Sequence, residues 1–177
     1  MHPRDHVDLV IEQWHHAKPE LDTRAMGIVG RIFRLAEIME QQTSNVLAEH
    51  GLTQWEFDVL GTLRRQGKPY SLTPTALMAA TLLSSGAMTN RINRLEERGY
   101  VERTPSADDR RSFQVSPTPR GLRAIDAAMA PRFAEATAAV KSLSAKERSL
   151  LTDLLRKLSL AVESDGANRR QRAWQEH

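Results

Sequence analysis

The chain has 177 residues, of which 40% are hydrophobic and 27% charged, proportions of one folded domain that exclude a disordered or membrane-embedded chain. With no cysteine anywhere, disulfides, thiolate metal sites, thiol nucleophiles and sulfur-based redox sensing are excluded together. The net charge of +3 conceals a division: residues 1–60 carry −5, residues 61–123 carry +6 and residues 124–177 carry +2, and 20 of the 25 basic residues are arginine. Arginine is suited to bidentate contacts with phosphate and guanine, so the basic middle of the chain points toward nucleic acid.

Aromatic residues are only 5% while leucine, alanine and methionine are plentiful, which favours helix-on-helix packing. In chain order, Val7, Val10, Ile11 and Trp14 are spaced as one apolar face of a helix over about His6–Ala17, closed by Pro19. A long helix from about Arg24 to His50 carries Ile28, Ile32, Leu35, Met39, Val46 and Leu47 and stops at Gly51. Thr53 and Glu56 form a capping box for a third helix to about Arg65. Thr73-Pro74 opens a short helix to about Ala80, and Ser84 or Ser85 caps the next, which ends at Arg98 before Gly99.

Beyond Gly99 the pattern becomes β: Tyr100–Thr104 and Ser112–Ser116 flank the turn-forming, charged segment 105–111, predicting a hairpin with a basic tip. Thr118-Pro119 caps a helix to about Leu143, and Ser144 with Glu147 caps a last one to about Ser164, followed by a polar tail expected to fray. The expected divisions are 1–52 (extra helix and long dimer helix), 53–117 (winged helix-turn-helix), 118–164 (dimer helices) and 165–177 (flexible tail). The fold class is mainly α with a small β-hairpin wing, a winged helix-turn-helix in a helical homodimer. No apolar run reaches the roughly 20 residues of a membrane span, and Met1–Asp8 has no signal-peptide core, so a cytoplasmic protein without a membrane partner is expected.

The helix at Ser85–Arg98 has two chemically different faces. At 100° per residue, Met88, Ile92 and Leu95 fall within about 60° of one another. Opposite lie Gly86, Asn90, Asn93 and Glu97, with Thr89 and Arg94 toward the edge, a set of small, hydrogen-bonding and basic groups suited to the major groove of double-stranded DNA. Such a face is often merely solvated. The hairpin tip, Asp108-Asp109-Arg110-Arg111, strengthens the DNA reading, because arginine enters minor grooves and aspartate can orient it. The expected DNA contacts are Ser85, Thr89, Asn90, Asn93, Arg94, Asp109, Arg110 and Arg111.

The run from Ser84 to Arg103, then the Asp-Asp-Arg-Arg tip and Thr118-Pro-Arg-Gly121, resembles the MarR family of bacterial transcriptional regulators over roughly residues 24–163. Pro117 departs from the family's common leucine and is expected to shorten the strand by one residue. The resemblance implies a homodimer, a palindromic operator and repression relieved by a small ligand. Trp14-His-His-Ala-Lys-Pro-Glu-Leu-Asp22 is further similar to the N-terminus of the urate-responsive subgroup. That similarity implies an anion site at Trp14, Asp58, Arg91 and Arg103.

Arg91 lies about 60° from the core stripe, on the protein side of its helix, where a guanidinium needs an anion. An internal ion pair with Asp58 and a ligand that competes for Arg91 are both open. Asp58 falls on the polar side of its helix, and Trp14 is equally suited to packing and to ligand stacking. The six histidines lack convergent partners for a metal site, and no nucleophile elbow, zincin, Walker or dinucleotide fingerprint occurs, so neither catalysis nor a cofactor is expected. The alternatives are a metal-responsive regulator and a constitutive DNA-binding protein without an effector.

Overall fold

A computed structural model describes the backbone of residues 3–81, 85–105 and 113–175, and the side chains of these apart from Ser85 and 166–175. Its elements are α1 (His6–Ala17), α2 (Arg24–Glu49), α3 (Gln54–Arg65), α4 (Pro74–Thr81), α5 (Ser85–Glu97), β1 (Val101–Pro105), β2 (Phe113–Pro117), α6 (Pro119–Ala139) and α7 (Ala145–Gln175). By compactness the chain divides into residues 1–135 and 136–177.

In the first unit, helix boundaries follow local chemistry. Asp5 caps α1, its side chain accepting from the Asp8 amide at 3.0 Å while Asp8 reciprocates. Gly51, with φ +67°, ends the connection after α2 in the left-handed region that glycine alone enters without strain. Thr73 Oγ1 accepts from the Ala76 amide, and Thr118 Oγ1 from the Gly121 amide, holding the starts of α4 and α6.

The core gathers Leu47 of α2, Leu60 and Leu63 of α3, Leu77 of α4 and Ile92 and Leu95 of α5, all fully buried. Each such side chain contributes about 1.5–3 kcal/mol through burial. Val101 and Val115 cover the same core from the hairpin, and Ile125 and Ala128 bring α6 onto it. The strands are antiparallel with Arg103 opposite Val115, and Leu72 adds an isolated bridge to Val115 through bonds of 3.1 and 2.8 Å. Pro117 does not shorten the strand as expected. It is the last residue of β2 and stands opposite Val101, because a terminal strand position needs no donated N–H.

Helix α1 lies along α2, where Gly27 and Gly30 leave room for Ile11 and Val7. Arg31 ties the pair, donating to Asp5 at 2.8 Å and to Asp8 at 2.6 Å. In the second unit, Ser144 and Glu147 form the expected cap of α7, and this contact holds the Glu147 carboxyl below its ordinary value. Helix α6 stops at Ala139 instead of Leu143, the intervening residues making turn bonds such as Leu143 to Val140. Helix α7 continues to Gln175, past the expected end at Ser164 and through most of the tail expected to be flexible. Alanine, arginine and glutamine after Gly166 all favour helix, so one glycine does not stop it.

Candidate nucleic-acid interface

Helix α5 divides as its periodicity predicts. Met88, Ile92 and Leu95 are at most 2% exposed, whereas Thr89, Asn90, Asn93 and Arg94 all lie on the exposed side. The buried stripe fixes the rotation of the helix on the core, and that rotation presents the hydrogen-bonding groups to solvent. Arg98 and Tyr100 secure its C-terminal end: Arg98 donates to Glu56, to the Gly51 carbonyl at 2.8 Å and to the Tyr100 hydroxyl at 3.2 Å.

The first hairpin strand is joined to α5 through Arg103. Its guanidinium donates to Asn93 Oδ1, lies 3.5 Å from Glu96 and sits 4.9 Å above the ring of Phe113. The side chain of Ser85 and the tip residues Asp109, Arg110 and Arg111 lie outside the described residues.

The four residues expected to hold an anion occupy different places. Trp14 is 47% exposed, in an apolar groove between α1 and α2 beside Met26 and Phe33. Asp58 lines a cavity of about 350 Å³ with Phe57, Arg65, Met129 and Phe133, between α3 and α6. Desolvation raises its carboxyl above the ordinary value, opposed first by a 3.0 Å hydrogen bond from Gln54 and then by the fields of Arg91, Arg132 and Arg65. Arg103 is held by Asn93 and Glu96.

Arg91 makes no ion pair within 4 Å with Asp58, although its charge still acts on that carboxyl from a distance, which corrects the expectation of a direct pair. Its guanidinium instead lies 5.6 Å from the ring centre of Trp55, in a shallow cleft completed by Ala87, Asn90 and Arg94. An aromatic face supplies the negative potential that an anion would otherwise provide. Trp55 was missed because its place in the first turn of α3 reads as an ordinary capping-box residue. Three positions separate it from Asp58, so the two share a side of α3, a signal available from helical spacing.

Among the described residues no three His, Asp or Glu side chains are grouped to hold a metal ion, and no helix is long and apolar enough to cross a membrane.

A sequence profile of the MarR family matches residues 50–112, beginning just after α2 and including α3, α4, α5 and β1. The HTH-type transcriptional regulator PecS of Dickeya dadantii is 30% identical over 149 residues, spanning 84% of this chain and 90% of PecS. The chain belongs to the MarR family. The HTH-type transcriptional repressor YetL of Bacillus subtilis is a further relative, 22% identical over 79% of this chain and 86% of YetL. The fold matches that of a mutant MarR from E. coli complexed with operator DNA, with a TM-score of 0.67 and 24% identity over 82% of this chain and 96% of that one. As a MarR-family member the protein is a DNA-binding transcriptional regulator, and the β1–β2 hairpin is the wing of its winged-helix fold.

Proposed function

We propose that the protein is a homodimeric repressor that binds a palindromic operator and is released by a small planar anion, urate or a related purine being favoured. The observation that carries the DNA half is the division of α5, which buries Ile92 and exposes Thr89, Asn90, Asn93 and Arg94. These four read the major groove, with Ser85 at the helix start, while Asp109, Arg110 and Arg111 serve the wing. YetL, described as a repressor, supports the sign of regulation.

Dimerisation is supported by apolar surface in both units. Phe33 is 72% and Ile28 61% exposed on α2, and Leu151, Leu155, Leu158 and Val162 recur along α7 at the 4-3-4 spacing of a helix seam. The first two and last two helices supply the dimer contacts, and two-fold symmetry places the half-sites about 10 bp apart.

Trp14, Asp58, Arg91 and Arg103 are the proposed ligand residues. Arg91 supports this reading because its guanidinium rests on Trp55 in a shallow cleft, with no ion pair to a carboxylate within 4 Å among the described residues, so a ligand anion can approach it directly. Release requires a ligand coupling of about 1–3 kcal/mol between DNA-bound and ligand-bound states. The test is binding to DNA from upstream of the protein's own gene, compared with random duplex and titrated with urate, xanthine and citrate. Equal affinity for both duplexes overturns operator recognition. Selective binding that ignores all three compounds overturns the ligand assignment and favours a constitutive regulator.

A further inference from the structure

The wing-side contact of Asn93 has a consequence for base recognition. Arg103 stands on β1, its guanidinium resting over Phe113 and reaching α5 at both Asn93 and Glu96. Glu96 is one turn along from Asn93, so one planar group bridges two side chains on neighbouring turns. A guanidinium has five donors and no acceptor, whereas an amide has an oxygen on one side and an NH2 on the other. Contact with Arg103 therefore decides which end of the Asn93 amide faces the hairpin: the oxygen does. An asparagine without such a partner presents two flipped amide orientations to a base edge, only one matching adenine N6 and N7.

From this geometry we infer that Arg103 is a positioning residue for sequence discrimination, orienting the Asn93 amide for one base pair of each half-site without itself reading a base. The inference rests on the proposed reading of Asn93 as a base-contacting residue. It differs from a phosphate contact, whose loss weakens all sequences alike, and from a purely structural role, whose loss lowers stability without selecting a base position.

The experiment first selects a preferred site from a randomised duplex pool, then measures affinity for every single-base-pair variant of that site. Wild type, N93A, R103M and the double variant are compared; E96Q, an exposed change that loosens Arg103, is the milder companion should R103M fail to fold. N93A is expected to abolish discrimination at one position per half-site. R103M should cut discrimination at that same position by about five-fold or more. The double variant should match N93A alone, and E96Q should give a smaller loss at the same position.

An even loss of affinity across all positions in R103M, or with E96Q where R103M does not fold, overturns the inference, as does a double variant whose losses add. If N93A changes no position, the base-reading role of Asn93 falls and the inference with it. If selection recovers no preferred site, operator recognition itself fails, an outcome separate from both.

Discussion

Arg98, just beyond the last residue of α5, donates a hydrogen bond to the carboxylate of Glu56, which is 1% exposed at the start of α3. The same carboxylate accepts from the Thr53 amide at 2.8 Å and from the Thr53 hydroxyl at 3.0 Å. A capping residue thus also anchors the C-terminal end of α5. Removing Arg98 leaves a buried charge with only local donors, so Arg98→Met should lower stability by about 1–3 kcal/mol in denaturant unfolding. Glu56→Gln should also destabilise, because its single amide oxygen can accept from Arg98 or from the Thr53 amide but not from both, and its NH2 then faces a donor. Indistinguishable unfolding of wild type and Arg98→Met would show that the Thr53 donors alone satisfy the carboxylate.

The two faces of α5 should separate stability from DNA binding. Ile92 is fully buried, and Ile92→Ala is expected to cost about 2–5 kcal/mol of stability. Asn90 is exposed, so Asn90→Ala should leave the melting temperature nearly unchanged while weakening binding to the selected site by about 1–3 kcal/mol. Unaltered DNA binding by Asn90→Ala would remove it from the reading face.

Gly121 is required by close approach. A Cβ placed there would lie 2.0 Å from the Tyr100 carbonyl oxygen, a backbone atom with little room to retreat. Gly121→Ala should therefore destabilise by about 1–3 kcal/mol. Gly86 in α5 has no neighbour within 4 Å of the equivalent point among the described residues, and Gly86→Ala should stabilise by up to about 0.5–1 kcal/mol through helix propensity. Thermal melts of the two variants should move in opposite directions.

Asp58 predicts a pH dependence of defined sign. Its carboxyl is raised in the folded chain, chiefly by desolvation, so it takes up a proton at higher pH than in the unfolded chain. Across that interval the folded state binds more protons, and stability falls as pH rises. Asp58→Asn keeps an oxygen for Gln54 and removes the charge. The variant should be more stable than wild type at neutral pH, with the advantage vanishing on acidification below the ordinary aspartate value. Parallel melts at pH 7 and pH 3.5 test this, and a constant difference would refute it.

Trp55 should report on Arg91. The cation–π contact is worth about 0.5–1 kcal/mol, and because Trp55 is also half-buried against the core, Trp55→Leu should cost at least that much and lose the contact. Arg91→Ala should alter the fluorescence of Trp55, measured in a chain whose Trp14 and Trp174 are phenylalanine. An unchanged spectrum would mean that the guanidinium does not rest on the ring in solution.

The sequence by itself determined the order of elements, because capping pairs such as Thr53 with Glu56, stops such as Gly51 and the 3.6-residue spacing of Met88, Ile92 and Leu95 are local signals. The exposed row Thr89, Asn90, Asn93 and Arg94 followed from the same arithmetic. Local rules failed at the end of α7, where favourable propensities outweighed Gly166, and at Pro117, where pairing with Val101 extended the strand. Only the tertiary structure decided which groups meet. Arg91 lies on Trp55 and not against Asp58, Arg103 holds Asn93, and Arg98 reaches Glu56 from 42 residues away. Periodicity fixes the side of a helix on which a residue stands; the partner it finds there depends on how separate helices pack, and side-chain interactions across that packing are not encoded in any local window.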